Sequence, residues 1–192
     1  MKYTFYIFGI ILFATINLKM KAQEDKRLIF EFTINAPVEE VYNAWTTTEG
    51  IKTFFAPDGL IENKLFGKFH IYFFPDAPEG QRGSESNIVL SSEENKMLSF
   101  TWDFPPSLMD LRQNQKTVVL IRLEKTEDNK TRFLFINSGW GNSEDWQKGF
   151  EYFKKAWGNV VLARLKYRFE NGPIDWNNLP DYSGYALKSL EY

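Results

Sequence analysis

The chain has 192 residues, with 23 basic and 25 acidic side chains, a net charge of −2 and a pI near 5.6. This mildly acidic balance argues against a nucleic-acid partner, which needs a concentrated basic patch. With no cysteine there are no disulfides, thiolate metal sites or cysteine nucleophile, and a single histidine leaves too few soft ligands for a transition metal.

In chain order, Met1-Lys2 supplies a positive start and Tyr3 to Leu18 an uncharged, mostly apolar run. That run is short for a bilayer span of roughly 20 residues. Its length and flanks predict a signal peptide over residues 1–22, cleaved after Ala22, and hence an exported protein, periplasmic or secreted. An uncleaved N-terminal membrane anchor is the alternative. No cysteine follows the run, so a lipid-modified cysteine is excluded. After removal of 1–22 the chain keeps 170 residues, enough for one domain with a real core, and no stable membrane span. The lost segment carries three lysines and no acid, so the remaining charge is −5. Without disulfides, such a domain depends on its core, and an aromatic content of 17% supplies one.

Arg27 to Ile34 is β-rich and partly alternating, which predicts a first strand. Asn35-Ala36-Pro37 then opens a helix, with Asn35 as a capping candidate and Val38, Val41, Tyr42 and Trp45 on one face. Thr46 to Glu49 fits a capping box for a second short helix running to Phe55. Ala56 to Gly59 is a turn. Strands are expected at Leu60–Asn63, Lys68–Phe74, Ser84–Ser92, Met97–Trp102, Thr117–Lys125 and Thr131–Asn137. Period-two alternation is plain in Leu98/Phe100/Trp102, Val119/Ile121/Leu123 and Phe133/Phe135, so each strand buries one face. A long helix starts near Ser143 and stops at Asn171-Gly172-Pro173. Trp146, Phe150, Phe153, Trp157, Val160, Val161 and Leu165 form its stripe. From Glu144 to Glu170 it would run roughly 40 Å. Residues 172–192 form a tail packed on the domain through Trp176, Tyr182 and Tyr185. This order predicts one α+β domain over residues 23–171. Its curved antiparallel sheet wraps a long C-terminal helix, and two short helices follow the first strand.

Ala36-Pro37-Val38-Glu39-Glu40-Val41-Tyr42-Asn43-Ala44-Trp45-Thr46 resembles the opening strand-to-helix segment of the START and birch-pollen-allergen-like (SRPBCC) superfamily. Within it, the chain is most similar to the AHSA-like family, named for an activator of the 90-kDa heat-shock protein's ATPase. Phe66-Gly67-Lys68-Phe69 sits where that family has a glycine-rich turn before an aromatic strand. Leu98 to Trp102 is similar to its central strand. Ser138-Gly139-Trp140, with Trp157 in the helix, looks like its final strand and helix. The resemblance spans roughly residues 28–171 and rests on the ordered set, since no single motif is diagnostic. It implies the helix-grip fold, with a sheet, a grip helix and a deep apolar cavity that takes small hydrophobic molecules. Some superfamily members are enzymes, such as cyclases. The signal segment sets this chain apart from a cytoplasmic chaperone activator.

Alternation directs Phe69, Ile71, Phe73, Val89, Phe100, Trp102, Val119, Ile121, Phe133 and Phe135 inward. The long helix adds Phe150, Phe153 and Trp157, and the short helices add Trp45, Phe54 and Phe55. Two arrangements satisfy this pattern: a pocket for an apolar ligand, or a core packed solid by the same rings. Asn137 shares the face of Phe133 and Phe135, where it either orients a ligand or is satisfied by strand-end backbone. Trp102 N–H is a second candidate for orienting a ligand. His70 alternates with Phe69 and Ile71 and is expected to face solvent. Glu62 is the acid to watch; the other carboxylate pairs sit in helix first turns or solvated turns. The loop from Phe104 to Leu111 is either a lid over the cavity mouth or a plain connection with apolar residues tucked onto the sheet. Val118, Leu120 and Leu134 point the other way and offer a homodimer contact.

The expected function is therefore non-catalytic binding of a small hydrophobic or amphipathic molecule, with no cofactor. An enzyme of the same fold is the first alternative; it needs a buried carboxylate or His70 in the pocket. A protein-interaction module of the chaperone-cofactor kind is the second.

Overall fold

The computed structural model describes residues 26–190. The predicted signal segment, residues 1–22, lies outside them.

The first strand, β1, spans Leu28–Ile34. Helices α1 (Val38–Thr46) and α2 (Thr48–Lys52) follow. Strands β2 (Asp58–Ile61), β3 (Phe69–Tyr72) and β4 (Gly83–Ser84) make a small antiparallel sheet in that order. Strands β5 (Val89–Glu93), β6 (Met97–Trp102), β7 (Thr117–Lys125) and β8 (Thr131–Ser138) join β1 in a five-stranded sheet, ordered β1-β8-β7-β6-β5. All pairings are antiparallel. Hydrogen bonds from Phe69 N to Asn87 O and from Val89 N to Gly67 O carry one sheet into the other. The result is one curved wall.

The long helix fills the concave side. Ser143 caps α4 (Glu144–Lys155), accepting from Trp146 N at 3.4 Å. A π-helical turn, Ala156–Val161, leads into α5 (Leu162–Asn171). Gly172, at φ 100°, ends it by donating to Arg168 O at 2.9 Å, a role suited to glycine because that φ strains other residues.

Several sequence expectations are corrected here. Asn35 makes no cap; Pro37 occupies the N-cap of α1, and no side chain bonds to it. Thr47, not Thr46, caps α2 by accepting from Gly50 N at 2.9 Å, and α2 stops at Lys52 rather than Phe55. The expected strand at Ser84–Ser92 is broken into β4 and β5, because Ser84, Ser86 and Asn87 turn their side chains into a polar cluster instead of continuing the ladder. The loop at 104–111 is partly helical: a 3-10 turn at Pro106–Leu108 and a helix, α3, at Met109–Asn114. The π turn shifts the apolar stripe, so Leu162 and Ala163 are buried while Val160 is only half-buried.

The tail straps the molecule. Ile174 N donates to Thr53 O at 2.9 Å and Trp176 Nε1 to Lys52 O at 2.6 Å. The Arg164 guanidinium lies between the Trp176 and Tyr182 rings. Leu187 N then reaches Gly158 O in the π turn at 3.0 Å, and Leu190 N reaches Ile29 O at 2.7 Å.

Gly158 is where the strap and helix touch. A Cβ there would stand 2.3 Å from Leu187 O and 3.0 Å from Phe30 Cε1. Gly158→Ala should therefore destabilise the domain by about 1–3 kcal/mol. Denaturant unfolding would measure the loss, and hydrogen exchange should show the Leu187 amide losing protection.

Candidate functional site

Three local arrangements carry the chemistry of the described residues. The first is the aromatic interior. Trp45, carried inward by α1, meets Phe54 at 5.0 Å, Phe55 at 5.6 Å and Phe133 at 6.0 Å between ring centroids. Trp157, carried by the π turn, meets Phe135 at 4.7 Å, Trp102 at 4.9 Å and Phe55 at 5.8 Å. Phe69 and Phe100 stack at 3.8 Å. The edge and tilted contacts of Trp45 and Trp157 each add about 0.5–1.5 kcal/mol beyond area burial. The structure thus brings Trp45, Phe55, Phe69, Ile71, Phe100, Trp102, Ile121, Phe133, Phe135, Asn137, Phe153 and Trp157 into one buried body. Phe73 is the exception. Strand β3 ends at Tyr72, alternation ends with it, and Phe73 sits at the rim, 36% exposed, against Phe55 at 6.2 Å.

Polar atoms inside this body fall into two groups. Asn137 is fully buried with both amide atoms engaged: its Nδ2 donates to Val118 O at 3.1 Å, and its Oδ1 accepts from Trp157 Nε1 at 3.2 Å. It works as an internal strut at the end of β8, and its backbone O also accepts from Trp140 Nε1 at 3.0 Å. By contrast, the indole N–H groups of Trp45 and Trp102 are buried and bond to no described protein atom. An unmet buried donor costs about 1–3 kcal/mol.

The second arrangement was not anticipated from sequence. Asp103, 3% exposed just past β6, accepts from Ser84 Oγ at 3.1 Å and Ser86 Oγ at 2.8 Å, and pairs with Lys116. Asn87 Nδ2 donates to Ser84 Oγ at 2.6 Å, leaving its buried Oδ1 without a partner. The only sequence signal was an acid directly after an inward tryptophan. Glu62 itself is partly exposed at the Lys68 turn, its carboxyl held below the usual range by the Lys68 backbone N–H.

The third is a surface groove of about 660 Å³ between the outer face of β2–β3, the 79–86 loop and α3. His70 lines it and is half-buried, not freely solvated, because α3 and that loop cover the outer face of β3. Burial, then the Lys68 charge, hold the imidazole pKa below its ordinary value. In the same wall, Arg82 grips Glu85 with Nε at 2.8 Å and Nη2 at 2.6 Å, while Arg112 binds Phe104 O at 2.6 Å and Gly83 O at 2.5 Å. Leu108 and Leu111 tuck against the core and Phe104 is fully buried, while Met109 is half-exposed at the groove.

Glu85 yields a pH prediction. Burial would raise its carboxyl, but bonds from the Arg82 side chain and from Gly80 N and Arg82 N together hold it below its ordinary value. A carboxyl depressed in the folded state stabilises the fold above its unfolded pKa, and that contribution is lost as the pH falls through the folded value. Glu85→Gln should lower stability at pH 7 by roughly 1 kcal/mol, and the deficit should shrink below about pH 4 in acid-unfolding titrations.

Among the described residues no cluster of His, Asp or Glu is placed to hold a metal ion, and no helix is long and apolar enough to cross a membrane. A sequence model of the family described as Activator of Hsp90 ATPase homolog 1-like protein matches residues 35–170. No curated protein matches the chain. Among solved structures, the Aha1 dimer from Colwellia psychrerythraea is similar at 23% identity and a TM-score of 0.56, covering 77% of this chain and 98% of that one. An HSP90 activator from Plasmodium falciparum is similar at 17% identity and 0.54, covering 76% and 97%. A conserved protein of unknown function from Enterococcus faecalis is similar at 20% identity and 0.58, covering 83% and 79%. At these identities the likeness shows the fold.

Proposed function

Because this chain belongs to the Activator of Hsp90 ATPase homolog 1-like family, within the helix-grip superfamily, we propose that it is an exported, non-catalytic domain that binds a small hydrophobic or amphipathic molecule among its interior aromatic rings. One observation carries the reading. The indole N–H groups of Trp140, Trp157 and Trp176 all find protein acceptors, whereas those of Trp45 and Trp102 are buried at the heart of the aromatic body without one. An indole nitrogen only donates, so the interior offers two directed donors to a guest that brings acceptor atoms. Apolar contact at about 25 cal/mol per Å² would supply most of the affinity, and these donors the orientation. Entry requires the rings to part, and the rim at Phe73 and Phe55 is the natural place for it.

Native mass spectrometry of the purified chain, with a denatured control, tests the reading. A stoichiometric apolar molecule, weakened about tenfold or more in Trp102→Phe, is the expected result. An empty protein that also fails to bind a fluorescent hydrophobic probe would remove it. Export of a reporter fused to residues 1–22 checks the localisation.

A protein-interaction role is the second reading, favoured by the outer sheet face. There Ile29, Ile136 and Leu120 stand side by side across β1, β8 and β7, flanked by Leu134 and Val118, all half-buried and none of them sealed off from solvent. A homodimer through this face should dissociate in Leu120→Lys, as read by sedimentation.

A further inference from the structure

The groove against α3 has a chemistry of its own, and it shares no lining residue with the aromatic interior. We propose that it binds a small organic anion, an oxyanion head held by Lys68 and His70 on a short apolar body seated against Leu60 and Met109.

Charge is the first argument. Lys68, Arg82 and Arg112 face the groove against Glu79 and Glu85, a surplus of one positive charge. Glu85 is already committed to Arg82 and to two backbone N–H groups. Arg112 is held by carbonyl oxygens, which fix its guanidinium without neutralising it. Glu62, whose carboxylate feels the Lys68 charge, is committed to Lys64 at 3.8 Å and to the Lys68 backbone N–H, so the Lys68 ammonium forms no ion pair of its own with a described carboxylate. The site is therefore electropositive and braced before any guest arrives.

Hydrogen-bonding capacity is the second. Neither ring nitrogen of His70 bonds to a described protein atom, although the residue is half-buried. Arg82, Glu85, Ser86 and Arg112 are engaged within the protein, whereas the imidazole, like the Lys68 ammonium, keeps its hydrogen-bonding capacity for a guest. The groups that act on it are Lys68 and Arg82, which oppose its protonation, and Glu85 and Glu62, which favour it, with burial the largest influence. An anion beside the ring would offset the two cations, so binding and proton uptake are coupled.

Shape and apolar area are the third. A volume of about 660 Å³ suits a small organic molecule. Leu60 lies across from His70 in the β2–β3 pairing, 36% exposed, and Met109 at 50% exposure forms the opposite wall. The Tyr72 ring, capped by the Arg82 guanidinium at 4.3 Å, closes one end.

Because His70 is the only histidine in the chain, its imidazole carbon-bound protons give one unambiguous NMR reporter. The full folded protein is titrated with phenyl phosphate and with benzoate, which distinguish a phosphoester from a carboxylate guest. Benzyl alcohol and matched sodium chloride are the controls. The expected result is a saturable shift with at least one aryl anion and a rise of about one unit in the His70 pKa, which makes binding about tenfold tighter below the shifted range than above it. Lys68→Met, an exposed change, should weaken binding at least tenfold. No saturable shift at about 10 mM, an equal response to benzyl alcohol or sodium chloride, or full affinity in Lys68→Met would each overturn the proposal.

Discussion

The packing of Trp157 is the constraint on which the rest of this molecule depends. Its ring touches α2's exit at Phe55, the sheet at Trp102 and Phe135, and its own helix at Phe153. Its N–H is pinned by Asn137 at the end of β8. Short helices, sheet and long helix are thus all referred to one side chain. A regular α-helix turns about 100° per residue. The wider turn from Ala156 to Val161 alters that phase and allows both Trp157 within it and Leu162 just after it to be buried. Such widened turns recur at functional sites, and here one sits at the centre of the aromatic body.

The polar chemistry is arranged around this centre rather than in it. Asp103 and its serines seal one end of β6, where a charge-assisted network takes the place of strand structure between Ser84 and Val89. The His70 groove occupies the outer face of the small sheet. The interior keeps only neutral donors, as expected where an unpaired charge would cost several kcal/mol.

Much of this was legible in the residue pattern. Strands with strict alternation, such as β7, came out with both ends as expected, because cross-sheet burial and local preference agree there. The aromatic body was legible for the same reason. The break at residues 84–89 was not, since it depends on Asp103, which lies far along the chain. The π turn was hidden by the apolar run Val160-Val161-Leu162-Ala163, which fits either helical phase. Alternation placed His70 on the correct face, but the cover provided by α3 and the 79–86 loop is a tertiary fact. The unmet donors of Trp45 and Trp102 could not be anticipated either, because a missing partner is defined only by what surrounds it.

The tail pairs with the outer edge of the first strand: Ser189 Oγ accepts from Ile29 N at 3.1 Å, and Leu190 N donates to Ile29 O. That pairing blunts an edge that would otherwise be open to another chain. It also sets the molecule's wiring. The start of β1 and the last described residues lie one hydrogen bond apart, so a brief linker could splice residue 190 to residue 28. New ends could then be opened at an exposed turn such as Glu127-Asp128-Asn129, giving a circular permutant with the same packing.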